Sequence, residues 1–452
     1  MERATGQPVT SRVSLSWSWR RIAWQVMPVV AVALGAVLLA RDLAGGGGTT
    51  PPSATVDSQY EQRLAANIKF FESRVSETRD SLSYNRLVSL YLERLRLTGD
   101  TADVARAELA ATESVRVAAG TYASTIAMAQ VRLAQHDFHG ALQLSNEAAA
   151  LKPEANDPLA ISGDAKMALG RYAEAGEDYR LYLEKEPGFG AFARQAVFAE
   201  TNGNIPLATQ FWHAAIDASA IESPIDSAWA LVQLGNLQAT NNDLTDASKQ
   251  FEAALRVYPG YALAEAGQAR VAAMSGEFEE SLELYRKVTA KLPSPEFIVA
   301  HLEAAERAGN TQEAERQIAL LGAIGQLFEA NGIRNDLTLI NFELDHGDPA
   351  SALPKAEAAY RERPSLAAAD TYAWALYRAG RLDEARRHAD ESLRLGTREP
   401  LYLFHAGMIA AAQGDSAEGR KFLARALELN PNFHPLHAPE AKRTLKRLEA
   451  SR

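Results

Sequence analysis

Residues 228–259 read AWALVQLGNLQATNNDLTDASKQFEAALRVYP. Apolar residues recur at three- and four-residue spacing on both sides of the polar corner NND, the pattern of two amphipathic helices joined by a tight turn. Ala247, near the start of the second helix, is small enough to let the two helices cross closely, and Phe251 and Ala254 share its face. Pro259 ends the unit, since it has no N–H to donate and its ring blocks the preceding turn.

The unit recurs along the chain. Small residues stand at Ala107, Ala141, Ala175, Ala208, Ala247, Ser281, Ala314, Ala352, Ala385 and Gly419, in steps of 33 or 34 interrupted by two longer ones of 38 and 39. A second ladder runs five residues ahead of the first through Gly170, Gly203, Asn242, Gly276, Gly309, Gly347, Gly380 and Gly414. A helix that must turn sharply ends in a left-handed residue, which glycine and asparagine reach cheaply. Asp243, Thr311, Asp348 and Asp415 then stand where a cap for the following helix belongs.

A 34-residue period with Gly235 at position 8, Ala247 at 20, Phe251 at 24, Ala254 at 27 and Pro259 at 32 resembles the tetratricopeptide repeat (TPR). The resemblance covers residues 80–433 and implies an all-α fold: a right-handed superhelical solenoid of about ten helix-turn-helix repeats. The solenoid is expected over 59–433, with insertions near 216–226 and 320–333. Residues 434–452 are expected to form a capping helix, whose basic outer face would solubilise the end of the array.

The N-terminus has another character. Residues 22–40, IAWQVMPVVAVALGAVLLA, carry no formal charge over a length that would cross a bilayer. Arg12, Arg20 and Arg21 precede them, with Trp17, Trp19 and Trp24 where an interfacial belt would lie. We expect a membrane-anchored, bacterial-type chain: a cytoplasmic leader over 1–21, one transmembrane helix over 22–40, a flexible Gly/Thr/Pro linker over 41–58, and a periplasmic or extracellular body. The alternative is a cleaved signal peptide and a soluble periplasmic or secreted protein. A signal peptide's apolar core is shorter, and the one neat cleavage pattern, Ala31-Val32-Ala33, falls inside the run.

Net charge is −10, and the first 41 residues hold five arginines against one glutamate, so the remainder stands near −14. Such a body repels phosphate backbones, and no nucleic-acid partner is expected. With no cysteine, disulfides, thiolate metal sites and cysteine nucleophiles are excluded. No phosphate loop, dinucleotide fingerprint or nucleophile motif is present, and no cofactor or catalytic residue is expected. His434 and His437, with His405, form a remote metal alternative, two of them flanking a proline without the convergence zinc needs.

What remains is surface. The TPR resemblance implies that positions 2, 5, 9 and 12 of each unit line a concave groove that binds peptide or protein segments. Here those rows contain Trp229, Val232, Asn236, Arg270, Asp370, Trp374, Tyr377, Phe404 and Met408. Trp374 and Tyr377, in the short segment DTYAWALYRAG, are the strongest pair. Asp157, Ala160 and Asp164 hold one row without the lysines that a chaperone's C-terminal carboxylate would require. The expected role is that of a scaffold or adaptor for a protein partner, with self-assembly as the structural alternative.

Overall fold

The structure, a computed structural model, describes residues 56–219, 223–330 and 336–450. The stretch 22–40 lies outside them, and no helix among the described residues is long and apolar enough to cross a membrane.

A single helix, α1 (Val56–Thr78), leads the array. Ten pairs follow, beginning with α2 (Ser81–Thr98) and α3 (Ala102–Val117), α4 (Tyr122–Ala134) and α5 (Phe138–Leu151), and α6 (Asp157–Ala168) and α7 (Tyr172–Lys185). The middle of the chain supplies α8 (Phe189–Thr201) and α9 (Ile205–Ser219), α10 (Pro224–Thr240) and α11 (Leu244–Val257), and α12 (Ala262–Ser275) and α13 (Phe278–Lys291). The last four pairs are α14 (Pro295–Arg307) and α15 (Thr311–Ala330), α16 (Leu337–His346) and α17 (Pro349–Glu362), α18 (Leu366–Arg378) and α19 (Leu382–Ser392), and α20 (Pro400–Ala412) and α21 (Ser416–Leu429). A final helix, α22 (His437–Ala450), closes the end. Among the described residues there is no strand: the chain is an all-α solenoid.

The opening stretch shows why. Ser223 caps α10 through the Asp226 N–H, Pro224 takes the first helical position, and Asn242 turns the chain left-handed at φ 64°. Asp243 then accepts from the Asp246 N–H and starts α11. Ala247, Phe251 and Ala254 are wholly buried. Phe251 sits between two glycines, because a Cβ on Gly235 would lie 2.7 Å from its ring and one on Gly267 2.3 Å. The aromatic knob of one helix thus fills holes that glycine leaves on both neighbouring first helices.

Every small residue of the ladder is buried within the second helix of its pair. The corner ladder also reads as expected, with two corrections. Gly347 is extended rather than left-handed (φ −119°, ψ −141°), since α16 is short and reaches Asp348 without the tight turn. Thr311 is the first residue of α15, not its cap; the cap is Asn310, whose Oδ1 accepts from the Glu313 N–H at 3.1 Å. His136, at φ 62°, fills a corner where no glycine marked it.

The period does not announce that the array curls back on itself. Loops after α17, α19 and α21 rest on the corners of pairs α6/α7 to α12/α13, in order. The Leu366 N–H donates to Tyr172 Oη at 2.8 Å, and Arg394 donates to the Gly170 carbonyl at 3.2 Å. Asn430 donates to the Ala239 carbonyl at 3.0 Å and Asn432 to that of Met274 at 2.9 Å. A Cβ on Gly170 would lie 2.1 Å from the Pro364 carbonyl oxygen, and one on Gly203 2.1 Å from that of Gly396. These two glycines serve twice, giving the corner its turn and the crossing loop its room.

Candidate docking site

First helices α14, α16 and α18 end side by side, and the start of α22, which packs on α20 and α21, stands beside their ends. Between them opens a cavity of about 560 Å³. Arg307 comes from α14, Asp345 from α16, and Trp374, Tyr377 and Arg378 from α18. The other wall belongs to the C-terminal segment: Pro435, Leu436, His437, Pro439, Glu440 and Arg443. The Trp374 and Tyr377 rings stack at 4.7 Å. Trp374 is fixed on its far side by His405, stacked at 4.3 Å, and by its indole N–H, which donates to Asp345 Oδ1 at 3.0 Å. Only Tyr377 of the pair remains half-buried, its phenol raised by burial and by Glu440.

The nine residues placed on groove rows divide by burial. Val232, Asp370, Trp374, Phe404 and Met408 are buried, so an incoming segment could not meet them as they stand. Phe404 stacks on His437 at 4.8 Å, while Asp370 Oδ2 accepts from His405 Nδ1 at 2.9 Å. His437 of the C-terminal segment packs against Trp374 and Phe404. Trp229 is half-buried in an edge-to-face aromatic cluster, 5.5 Å from Trp212 and 6.0 Å from Phe189. Asn236, Arg270 and Tyr377 keep an accessible face.

Arg270 donates to Thr240 Oγ1 at 2.9 Å. Glu200, Glu296 and Glu399 lie near it, and burial raises the carboxyls of Glu200 and Glu399, that of Glu200 to about 7 with the Glu399 charge adding to the effect. Asp164, on a row noted for lacking lysines, is paired with Arg194 rather than open to a ligand.

The three histidines do come together, with ring centroids 4.5 Å apart for His434–His437 and 5.9 Å for His405–His437. Each is turned toward its own carboxylate: His405 to Asp370, His437 to Asp345, and His434 to Glu303 at 3.4 Å. Among the described residues no group of three or more such side chains is arranged to hold a metal ion. Burial drives His434 down to about 4. It would drive His437 down as well, but the hydrogen bond to Asp345, with Glu440 and Glu303 nearby, overrides it and lifts His437 to about 9.

A pH effect on stability follows. The raised His437 contributes fully below its ordinary value of 6.5, and the contribution is lost as pH climbs through about 9. Between about pH 6 and pH 10 the protein should lose on the order of 3 kcal/mol that a His437→Gln variant does not lose. Denaturant unfolding of both proteins across that range checks this, and parallel curves would refute the assignment.

A tetratricopeptide repeat family model matches residues 126–188, 232–294, 337–400 and 371–432. The chain carries tetratricopeptide repeats. Among solved structures it is similar to PilW, a type IV pilus biogenesis factor, at 16% identity over 45% of this chain and 92% of that one, TM-score 0.39. It is similar to yeast Tom70 at 12% identity over 92% and 96%, TM-score 0.37. A tetratricopeptide repeat protein from Parabacteroides merdae is similar at 15% identity over 64% and 98%, TM-score 0.35. No curated protein matches the chain.

Proposed function

We propose that this chain is a non-enzymatic scaffold, tethered to a membrane by residues 22–40, whose solenoid stands outside the cytoplasm and docks a peptide or protein segment in the Trp374–Tyr377 cavity. The observation that carries this reading is the stacked aromatic pair: one ring is locked in place and the other is presented at the cavity wall. A rigid aromatic ledge anchors a partner at little cost in ordering entropy. Asn236 and Arg270 would extend the docking face along earlier first helices, and the tether would raise the effective concentration for membrane partners.

Crosslinking and affinity purification from the native membrane test the reading, with wild type beside Tyr377→Ala. Loss of an aromatic anchor should cost about 2 kcal/mol of binding, roughly thirtyfold in affinity, so specific partners should disappear. Tyr377 rather than Trp374 is the residue to change, because removing the buried indole would disturb the core as well. Partners retained at wild-type levels would move docking away from this cavity. Retention of the intact chain in the membrane pellet after an alkaline wash would support the tether, whereas a shortened, released form would identify the cleaved leader.

A further inference from the structure

The cavity's charge is at odds with the rest of the molecule. The chain holds 57 acidic against 47 basic residues. On the described surface many arginines are neutralised locally, such as Arg171 by Glu174, Arg180 by Glu177 and Arg381 by Glu384. Around the aromatic ledge such pairing is sparse. Arg307 rests on the Phe278 ring at 4.8 Å with no carboxylate at ion-pair distance among the described residues. Arg443 has none either, and Arg378 has only a long ion pair, to Asp345 at 3.8 Å. The cavity's two carboxylates are engaged elsewhere: Asp345 accepts from Trp374 and His437, and Glu440 faces His437. Two guanidinium groups without a carboxylate partner, and a third held only by a long ion pair, therefore border the aromatic ledge.

We infer that the segment this cavity accepts is acidic: a stretch of a partner protein bearing aspartate or glutamate on either side of an apolar or aromatic residue. The ring or aliphatic side chain lies on Tyr377 and Leu436, and the flanking carboxylates meet Arg307, Arg378 and Arg443, whose planar forks suit bidentate pairing. Arg443 comes from α22, so the basic face of that helix contributes to recognition besides keeping the end of the array soluble. Unlike charges elsewhere on this acidic body would favour basic partners, which makes the cavity a local reversal that selects by sign. The inference rests on the docking proposed above for the same cavity.

The experiment is affinity selection of a random dodecamer peptide library on the detergent-solubilised full chain, with Tyr377→Ala as the counter-selected control. The best binders are then titrated by fluorescence anisotropy against Arg378→Glu and Arg443→Glu, both exposed and checked for helix content. Tyr377-dependent binders should be enriched in Asp and Glu beside Phe, Trp or Leu. Each charge reversal should weaken them by roughly tenfold, and added salt should weaken wild-type binding likewise. Tyr377-dependent binders of neutral or basic composition would overturn the acidic assignment and leave docking intact. Absence of any Tyr377-dependent binder would remove both. A concentration-dependent dimer abolished by Arg443→Glu would make the occupant a second copy of this chain and overturn the partner assignment.

Discussion

Trp212→Ala should destabilise the protein by about 3–5 kcal/mol, enough to lower the denaturant midpoint sharply. The indole is wholly buried at the centre of a cluster with Ala193, Ala208, Ala215, Ala230 and Leu234. Alanines on the surrounding helices cannot collapse into the space it leaves, so the cavity term adds to the lost transfer energy. The substitution also removes the edge contact with Trp229. Trp212→Phe should behave quite differently. The indole N–H has no hydrogen-bond partner, so replacing it removes an unsatisfied donor worth about 1–3 kcal/mol. That gain offsets much of the smaller void, and the variant should stay within about 1 kcal/mol of wild type. Equal losses for the two variants would show that packing is not what Trp212 provides.

Asp164→Ala should cost a similar amount for an electrostatic reason. Arg194 donates to Asp164 through Nε at 2.9 Å and through Nη2 at 2.7 Å, and Tyr179 Oη donates to Oδ1 at 2.9 Å. The arginine side chain is 2% exposed and the aspartate 8%. Deleting the carboxylate leaves a buried guanidinium without its counter-charge, a loss of about 3–5 kcal/mol. The paired replacement Asp164→Leu/Arg194→Met, which removes both charges, should recover most of that loss. Urea titrations of the single and double variants decide it. A single variant within about 1 kcal/mol of wild type would mean that solvent reaches the arginine after all.

Much of this architecture is written in the sequence because one geometric need recurs in every unit. Two crossing helices require a small residue at the crossing and a left-handed residue at the corner, and both ladders land where the structure uses them except at Gly347, which is extended. His136 shows the limit of that rule, since a corner can be filled by a residue that no ladder marks. The docking region is less legible. Periodicity tells which side of a first helix faces inward, but not what occupies the interior. Phe404 and Met408, expected on groove rows, are both buried, Phe404 among His405, Phe433 and His437. Trp374 became the fixed half of an aromatic pair for the same reason. The partner that packs on Phe404 and Trp374, His437, could be noticed in sequence only as part of a candidate metal site, because its carboxylate lies at Asp345, 92 residues away.

The loops that return to the corners of earlier pairs change the kind of object this array is. A repeat protein held only by adjacent units can fray and re-form piecewise, like a linear lattice. Here Asn430 reaches the carbonyl of Ala239 across 191 residues and Asn432 that of Met274 across 158. Such ties raise the contact order, slow the final stage of folding and couple melting of the last pairs to that of the middle ones. During synthesis α6 to α13 would emerge with these corners unclasped, and only the arrival of the last loops would lock the winding.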